Sequence, residues 1–321
     1  MFAVYAAEPN PQDPLASLVV GERPEPVPAD GWVEVDVRAA SLNMHDLWTL
    51  RGVGIKPDQF PMILGCDGAG TLADGTEVVI YPVIGTPGWT GDEALDPGLT
   101  LLTEKHQGTF ADKVVVPRRN ALAKPAALSF AQAACLGTAW LTAYRMIFTR
   151  SGLRPGQTML VQGASGGVAT ALIQLGAAAG MRVWATGRTE AKRALAAELG
   201  AHQTFESGAR LPERVDAVFE TVGEATWSHS MRCLRRGGVI VCSGATTGPN
   251  PGAELNRLFF LQLSVVGSTM GTREELADLV QFLEVTGVRP QIGLELPMTG
   301  AADGFRAMLK GETAGKIVFT R

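Results

Sequence analysis

The sequence is poor in charge, and what charge it has does not lean basic. Only 19% of its 321 residues are Asp, Glu, Lys or Arg, and the formal net charge is −4. Neutralising nucleic-acid phosphates takes a basic surplus, so a nucleic-acid partner is excluded. Cysteine is scarce too. The four, Cys66, Cys135, Cys233 and Cys242, have neither the density of a disulfide scaffold nor the spacing of a CxxC metal pair, which suits a reducing compartment. Long apolar runs are missing: the most apolar stretch, residues 161–184, is broken by Gln162, Gln174 and Arg182, so no membrane span is expected. The first residues lack the basic and apolar regions of a secretion signal. The expected location is therefore the cytoplasm, with no membrane partner.

What is present is a globular composition, 46% apolar, with 38 Gly and 19 Pro to turn the chain. At about 100 to 200 residues per domain, the length predicts two domains. Residues 1–122 have short β-branched runs, such as Trp32-Val33-Glu34-Val35-Asp36-Val37 and Glu77-Val78-Val79-Ile80-Tyr81, separated by turns. This texture predicts a mostly antiparallel β domain. Residues 123–289 alternate Ala-rich helical runs with short apolar strands, the pattern of a doubly wound parallel sheet. Strands are expected at 158–162, 182–186, 215–220, 239–243 and 263–267, and helices at 167–179, 190–199, 225–234 and 273–286. The tail, 290–321, returns to short strands, ends in Lys316-Ile317-Val318-Phe319, and is expected to rejoin the first domain. The fold class is α/β.

The strongest motif is Val161-Gln162-Gly163-Ala164-Ser165-Gly166-Gly167-Val168-Ala169, between a predicted strand and a predicted helix. Glycines let the backbone approach a pyrophosphate, and the helix start turns its free N–H groups and positive dipole end toward it. Gly163, Ala164, Ser165, Gly166, Gly167 and Val168 are thus candidate cofactor residues. At the end of the second strand an NAD site carries an acid for the ribose hydroxyls, whereas a 2′-phosphate calls for cations. Here Thr186 and Gly187 are followed by Arg188, Lys192 and Arg193. The expected cofactor is NADPH. Ligands of an open parallel sheet sit at its C-terminal edge, which adds Thr221, Val222, Ser243, Gly244, Ala245, Gly267 and Ser268.

With these motifs in place, the chain resembles the medium-chain dehydrogenase/reductase superfamily, and within it the zinc-independent, quinone oxidoreductase-like branch. The resemblance runs nearly end to end: Ala39-Ala40-Ser41-Leu42-Asn43-Met44-His45-Asp46, Ile63-Leu64-Gly65-Cys66-Asp67-Gly68, Gly108-Thr109-Phe110-Ala111, Gly137-Thr138-Ala139-Trp140, the glycine turn, and Gly315-Lys316-Ile317-Val318. It implies a GroES-like catalytic domain (1–122 completed by 290–321), a Rossmann domain (123–289), an active-site cleft where they meet, and a homodimer through residues 261–268. Where the zinc enzymes place Cys, His and Cys, with a Glu beside the His, the matching residues are Asn43, Cys66 and Thr138, with Asp67 for the Glu. The lobe at 85–108 that would hold structural zinc has no cysteine, so no metal is expected.

By resemblance, Asn43 and Thr138 would hydrogen-bond the nicotinamide ribose and amide, and His45 stands where the zinc enzymes place a proton relay. Asn43, His45 and Asp67 are the candidate catalytic residues. Trp48 and Trp140 are candidate walls for an aromatic substrate. Without a Lewis acid, the suitable partner is a small-molecule electron acceptor that delocalises charge, a quinone or an α,β-unsaturated carbonyl compound. Two alternatives remain open at this point: a carbonyl reductase or alcohol dehydrogenase acting on a specialised metabolite, and a non-catalytic NADPH-binding sensor.

Overall fold

The computed structural model describes all 321 residues, which divide into two compact units, Met1–Leu141 with Met270–Arg321, and Thr142–Thr269. The texture change assigns 123–141 and 270–289 to the second unit; in the structure they belong to the first. The Tyr81 hydroxyl donates to the Gly271 carbonyl at 2.8 Å, and Arg273 Nε donates to the Arg119 carbonyl at 2.7 Å. Helix Arg273–Thr286 buries Leu276, Leu279 and Leu283. That stripe reports a helix, and its spacing carries no information about which core receives it.

The first unit is built on a mainly antiparallel sheet in the order Ala121–Ala123, Glu77–Ile80, Asp67–Thr71, Trp32–Leu42, Lys316–Thr320, Ile292–Pro297, with Lys113–Pro117 also paired to Trp32–Leu42. The expected return of the tail occurs: Ile317 pairs with Leu42, and Val318 with Ser41. The tail is not all strand, however. Helix Ala301–Lys310 buries Ala301, Gly304 and Phe305, a helical spacing on one face. Phe110 packs edge-on against Phe305 and Phe319, with centroids 6.4 and 5.0 Å away, and anchors this core.

The second unit is a six-stranded, all-parallel sheet in the order Gln203–Glu206, Arg182–Gly187, Thr158–Val161, Val215–Glu220, Leu234–Cys242, Ser264–Gly267. The order reverses between Thr158–Val161 and Val215–Glu220, the switch point where such sheets take ligands. Thr158–Val161 is buried at all four positions, as a strand covered on both faces must be. Trp184, Leu160, Val218 and Ile240 share one core. The strand Gln203–Glu206 was not foreseen, because an edge strand with polar ends has no continuous apolar run. No helix is long and apolar enough to cross a membrane.

Candidate active site

Three strands of the first unit bring a buried polar cluster together. Asp67 lies opposite Ser41 in an antiparallel pair, and Lys316 opens the strand on the other side of Trp32–Leu42. Asp67 Oδ2 accepts from Ser41 Oγ at 2.8 Å, Asn43 Nδ2 at 2.9 Å and Lys316 Nζ at 3.4 Å. Lys316 Nζ donates also to Asn43 Oδ1 at 2.6 Å and the Leu42 carbonyl at 3.0 Å. The Asp67 and Lys316 side chains are 0% and 2% exposed, so the ion pair is isolated from water. Lys316 is a site residue that sequence reasoning passed over. Its signal was a lysine opening an apolar strand.

This cluster alters the role expected of Asn43. Its second amide hydrogen goes to the Ser41 carbonyl, so both N–H groups and one lone pair of Oδ1 are committed and it has no donor left for a nicotinamide ribose. The buried ammonium needs acceptors, and Asn43 supplies one. Asp67 likewise acts as an anchor. Its Oδ1 is buried without a partner and faces Gly137, where an added Cβ would stand 2.9 Å from it. The next residue, Thr138, lies in the π-helical turn Leu136–Trp140, a distortion frequent at functional sites, and its buried hydroxyl also lacks a partner. Thr138 thus keeps an open donor and acceptor.

His45, on the short helix Met44–Leu50, is mostly buried, and its Nε2 has no hydrogen-bond partner. Glu104 Oε1 lies 3.9 Å away, beyond hydrogen-bond length. Burial lowers the imidazole below its ordinary value, and the charges of Glu104 and Asp67 oppose the shift. Next to it, Asp46 accepts the Asn43 and Gly65 backbone N–H groups, each at 2.8 Å. Burial nevertheless pushes its carboxyl up to about 7. Trp48 is 38% exposed, whereas Trp140 is fully buried. Trp140 therefore packs in the core.

The donor set does not fit a catalytic zinc. Cys66 is the one soft ligand at the expected positions; its Sγ donates to the Leu102 carbonyl at 3.2 Å, and burial holds the thiol well above its ordinary pKa. Asn43 Oδ1 faces an ammonium instead of a divalent ion, and no group of three His, Cys, Asp or Glu side chains is placed to hold a metal. In the lobe at 85–108, the Asp96 carboxylate accepts from Thr86 and the Gly98 backbone and closes the loop by hydrogen bonds.

In the second unit the glycine turn has the predicted form. Gly163 stands at φ +80°, and a Cβ at Gly166 would meet nothing within 4 Å, so the turn between Thr158–Val161 and helix Gly167–Ala178 leaves an open cradle. The first helical N–H groups, starting at Gly167 and Val168, have no intrahelical acceptor, which fits a dinucleotide pyrophosphate. Gly163 N–H donates to Thr186 Oγ1 at 3.2 Å. A Cβ at Gly187 would come within 3.1 Å of Arg193 Cγ and 3.5 Å of Ala164 Cβ. Glycine there lets the arginine cross and donate to the Gly187 carbonyl at 2.9 Å. Arg193 is also paired with Glu190 and, at 3.7 Å, with Glu206, the residue beside Gly187 on the neighbouring strand. Arg188 is exposed and Lys192 half-buried.

The remaining candidates lie in turns at the same sheet edge. Ser243 N–H donates to the Glu220 carbonyl, Thr246 N–H to that of Thr221, and Thr247 N–H to that of Val222, so the turns carrying Thr221, Val222, Gly244 and Ala245 lean on one another. Ser268 N–H donates to the Cys242 carbonyl, and its buried hydroxyl lacks a partner. Gly267 gives its carbonyl to Arg150.

Comparison with known proteins agrees with the two-unit fold. Residues 29–126 match the alcohol dehydrogenase GroES-like domain, and residues 167–285 match the zinc-binding dehydrogenase domain. The chain is 29% identical to a zinc-type alcohol dehydrogenase-like protein of Leptosphaeria maculans, over 95% of this chain and 94% of that one. It is 27% identical to a quinone oxidoreductase of Mus musculus, over 91% and 90% of the two chains. The solved structure of an NAD-dependent alcohol dehydrogenase superposes with a TM-score of 0.93 at 32% identity, covering all of both chains.

Proposed function

The chain belongs to the medium-chain dehydrogenase/reductase superfamily, and we propose that within this family of oxidoreductases it is an NADPH-dependent, zinc-independent reductase of quinones or α,β-unsaturated carbonyl compounds. The observation that carries the reading is the Lys316 ammonium at 2.6 Å from Asn43 Oδ1. Of the three residues matching the metal ligands of the zinc enzymes, Asn43 holds a buried ammonium and the Cys66 thiol donates to the Leu102 carbonyl. The likeness to a quinone oxidoreductase over nine-tenths of both chains supports the same choice.

When bound, the reduced dinucleotide supplies a hydride. The protein's residues bind, orient and protonate. Backbone N–H groups of the turn from Ala164 to Val168, which Gly163 shapes, receive the pyrophosphate, and Arg188 with Lys192 compensates a 2′-phosphate. Thr138 offers an uncommitted hydroxyl for a polar edge of cofactor or substrate. Hydride addition to a conjugated acceptor moves negative charge onto oxygen, where one hydrogen-bond donor suffices. His45, whose Nε2 is uncommitted, is the candidate for that donor. Exposed Trp48 gives an aromatic surface near this imidazole in the sequence, one turn along its helix.

The edge strand Ser264–Gly267, with Val265 exposed, follows a helix whose Phe259 and Phe260 are 62% and 67% exposed. An open edge with apolar neighbours supports a homodimer through 261–268. Light scattering at twice the chain mass is the expected result. The functional reading is tested by NADPH oxidation with a para-quinone, a 2-enone and a saturated aldehyde, with NADH as the control. Turnover of the quinone or enone but not the aldehyde supports it. Turnover of the aldehyde alone replaces it with a carbonyl reductase.

A further inference from the structure

Glu220 ends the strand Val215–Glu220 and is fully buried, and it has no cationic partner. Four donors satisfy it instead. Oε1 accepts the backbone N–H groups of Val222 at 2.8 Å and Gly223 at 3.2 Å, and Thr226 Oγ1 at 3.0 Å. Oε2 accepts Ser230 Oγ at 2.7 Å. A carboxylate withdrawn from water is tolerated only with several such donors, so its placement is expensive unless the donors gain something by being held.

A carboxylate can only accept, and that fixes the direction of every bond leading away from it. Ser230 must donate to Glu220, so its oxygen accepts from Gln162 Nε2 at 2.9 Å. The amide is thereby oriented with Oε1 toward Thr186, whose hydroxyl donates to it at 2.8 Å. With its proton spent, Thr186 Oγ1 accepts the N–H of Gly163, the first residue of the phosphate turn. His229 agrees independently: its Nδ1 faces the other Gln162 Nε2 hydrogen at 2.8 Å, which leaves Nε2–H to donate to the Ala209 carbonyl at 2.8 Å.

The second branch fixes backbone directly. Gly223 stands at φ +93°, and a Cβ there would lie 2.5 Å from the Gly248 carbonyl oxygen, so the turn that Glu220 holds is pressed onto the turn after Leu234–Cys242. Thr247 Oγ1 and N–H both donate to the Val222 carbonyl, at 2.7 and 2.8 Å. We propose that Glu220 is the positioning residue of the dinucleotide site, its one buried acceptor setting the phosphate turn through Ser230, Gln162 and Thr186 and the two later turns through Val222 and Gly223. The proposal rests on reading this unit as a dinucleotide-binding domain.

The Glu220→Gln variant tests it, because the side chain keeps its shape while its NH2 must face a donor. Two quantities are read on the purified full chain: the dissociation constant for NADPH by nucleotide fluorescence, and amide hydrogen exchange of Gly163, Val222 and Gly223 without nucleotide. About tenfold weaker binding is expected, the size of one lost charge-assisted hydrogen bond, with faster exchange at all three amides and kcat at saturating NADPH within about twofold of wild type. Ser230→Ala cuts one branch only: exchange at Gly163 should rise while Val222 and Gly223 keep their protection. It stands in should Glu220→Gln not fold. Wild-type affinity and exchange in the variant would reduce Glu220 to a packing residue and overturn the proposal. Failure of the wild type to bind either NADPH or NADH would instead overturn the functional reading, and with it the ligand assigned to these turns.

Discussion

Two fully buried carboxylates, Asp67 in the first unit and Glu220 in the second, are satisfied by opposite means. Asp67 is matched by an ammonium, Lys316, and the pair fixes side chains: the amide of Asn43 and the hydroxyl of Ser41. Glu220 is matched by dipoles alone, two of them backbone N–H groups, and so fixes turns. Under the proposed function, the difference matches what each region would handle. A reacting centre needs a few side chains held in set orientations, and a full charge pair does that with short reach. A pyrophosphate is received by backbone, and backbone is set by backbone hydrogen bonds.

The sharpest way to break this comparison is to remove the cation. Lys316→Met leaves Asp67 buried without a counter-charge, and a loss of about 3 to 5 kcal/mol in urea-unfolding free energy is expected. Lys316→Met with Asp67→Asn should recover most of it. Additive losses would mean that the charges do not depend on each other. In the second unit no cation is paired with Glu220, so charge is read at the rim. Replacing Arg188 and Lys192 by alanine should weaken NADPH by about tenfold or more and leave NADH nearly unchanged. Equal losses in the two titrations would remove the 2′-phosphate from the account.

Backbone control makes glycine conformation matter more there than side-chain volume. Gly163→Ala has room, with Val222 Cγ2 at 3.4 Å from the new Cβ, but holds φ +80°. A stability loss of about 1 kcal/mol is expected from the left-handed conformation, and no loss on thermal unfolding would contradict it. The smallest effect belongs to His45. His45→Gln should lower turnover a few-fold without changing NADPH affinity. The native state resists a proton that the unfolded chain accepts near pH 6.5. The stability that His45 contributes is therefore fully present above pH 6.5 and is lost as the pH falls below it. The variant should flatten that part of a stability–pH curve relative to wild type.

Much of this molecule is legible in its sequence, for identifiable reasons. Strands such as Thr158–Val161 read correctly because burial on both faces demands an uninterrupted apolar run, and the glycine turn because its backbone geometry restricts residue choice. Helix Ala301–Lys310 was hidden in a tail that looked strand-like, since its buried stripe is only Ala, Gly and Phe. The two networks were illegible for a different reason. Lys316 is far along the chain from Asn43 and Asp67, and Glu220 acts on Gly163 through Ser230, Gln162 and Thr186. Such groups meet only once strands pair, and local pattern does not encode the pairing. The same limit moved the unit boundaries, because the stripe of Arg273–Thr286 suits either core equally well.

The proposed function has a conjugated acceptor reduced at a catalytic unit whose buried polar cluster holds the Lys316 ammonium in place of a metal ion. The most direct test is NADPH-dependent turnover of a para-quinone measured on the same samples as their metal content, before and after exhaustive chelation. Turnover that persists unchanged with far less than one zinc per chain is expected. Activity that falls with chelation and returns in proportion to added zinc would contradict it.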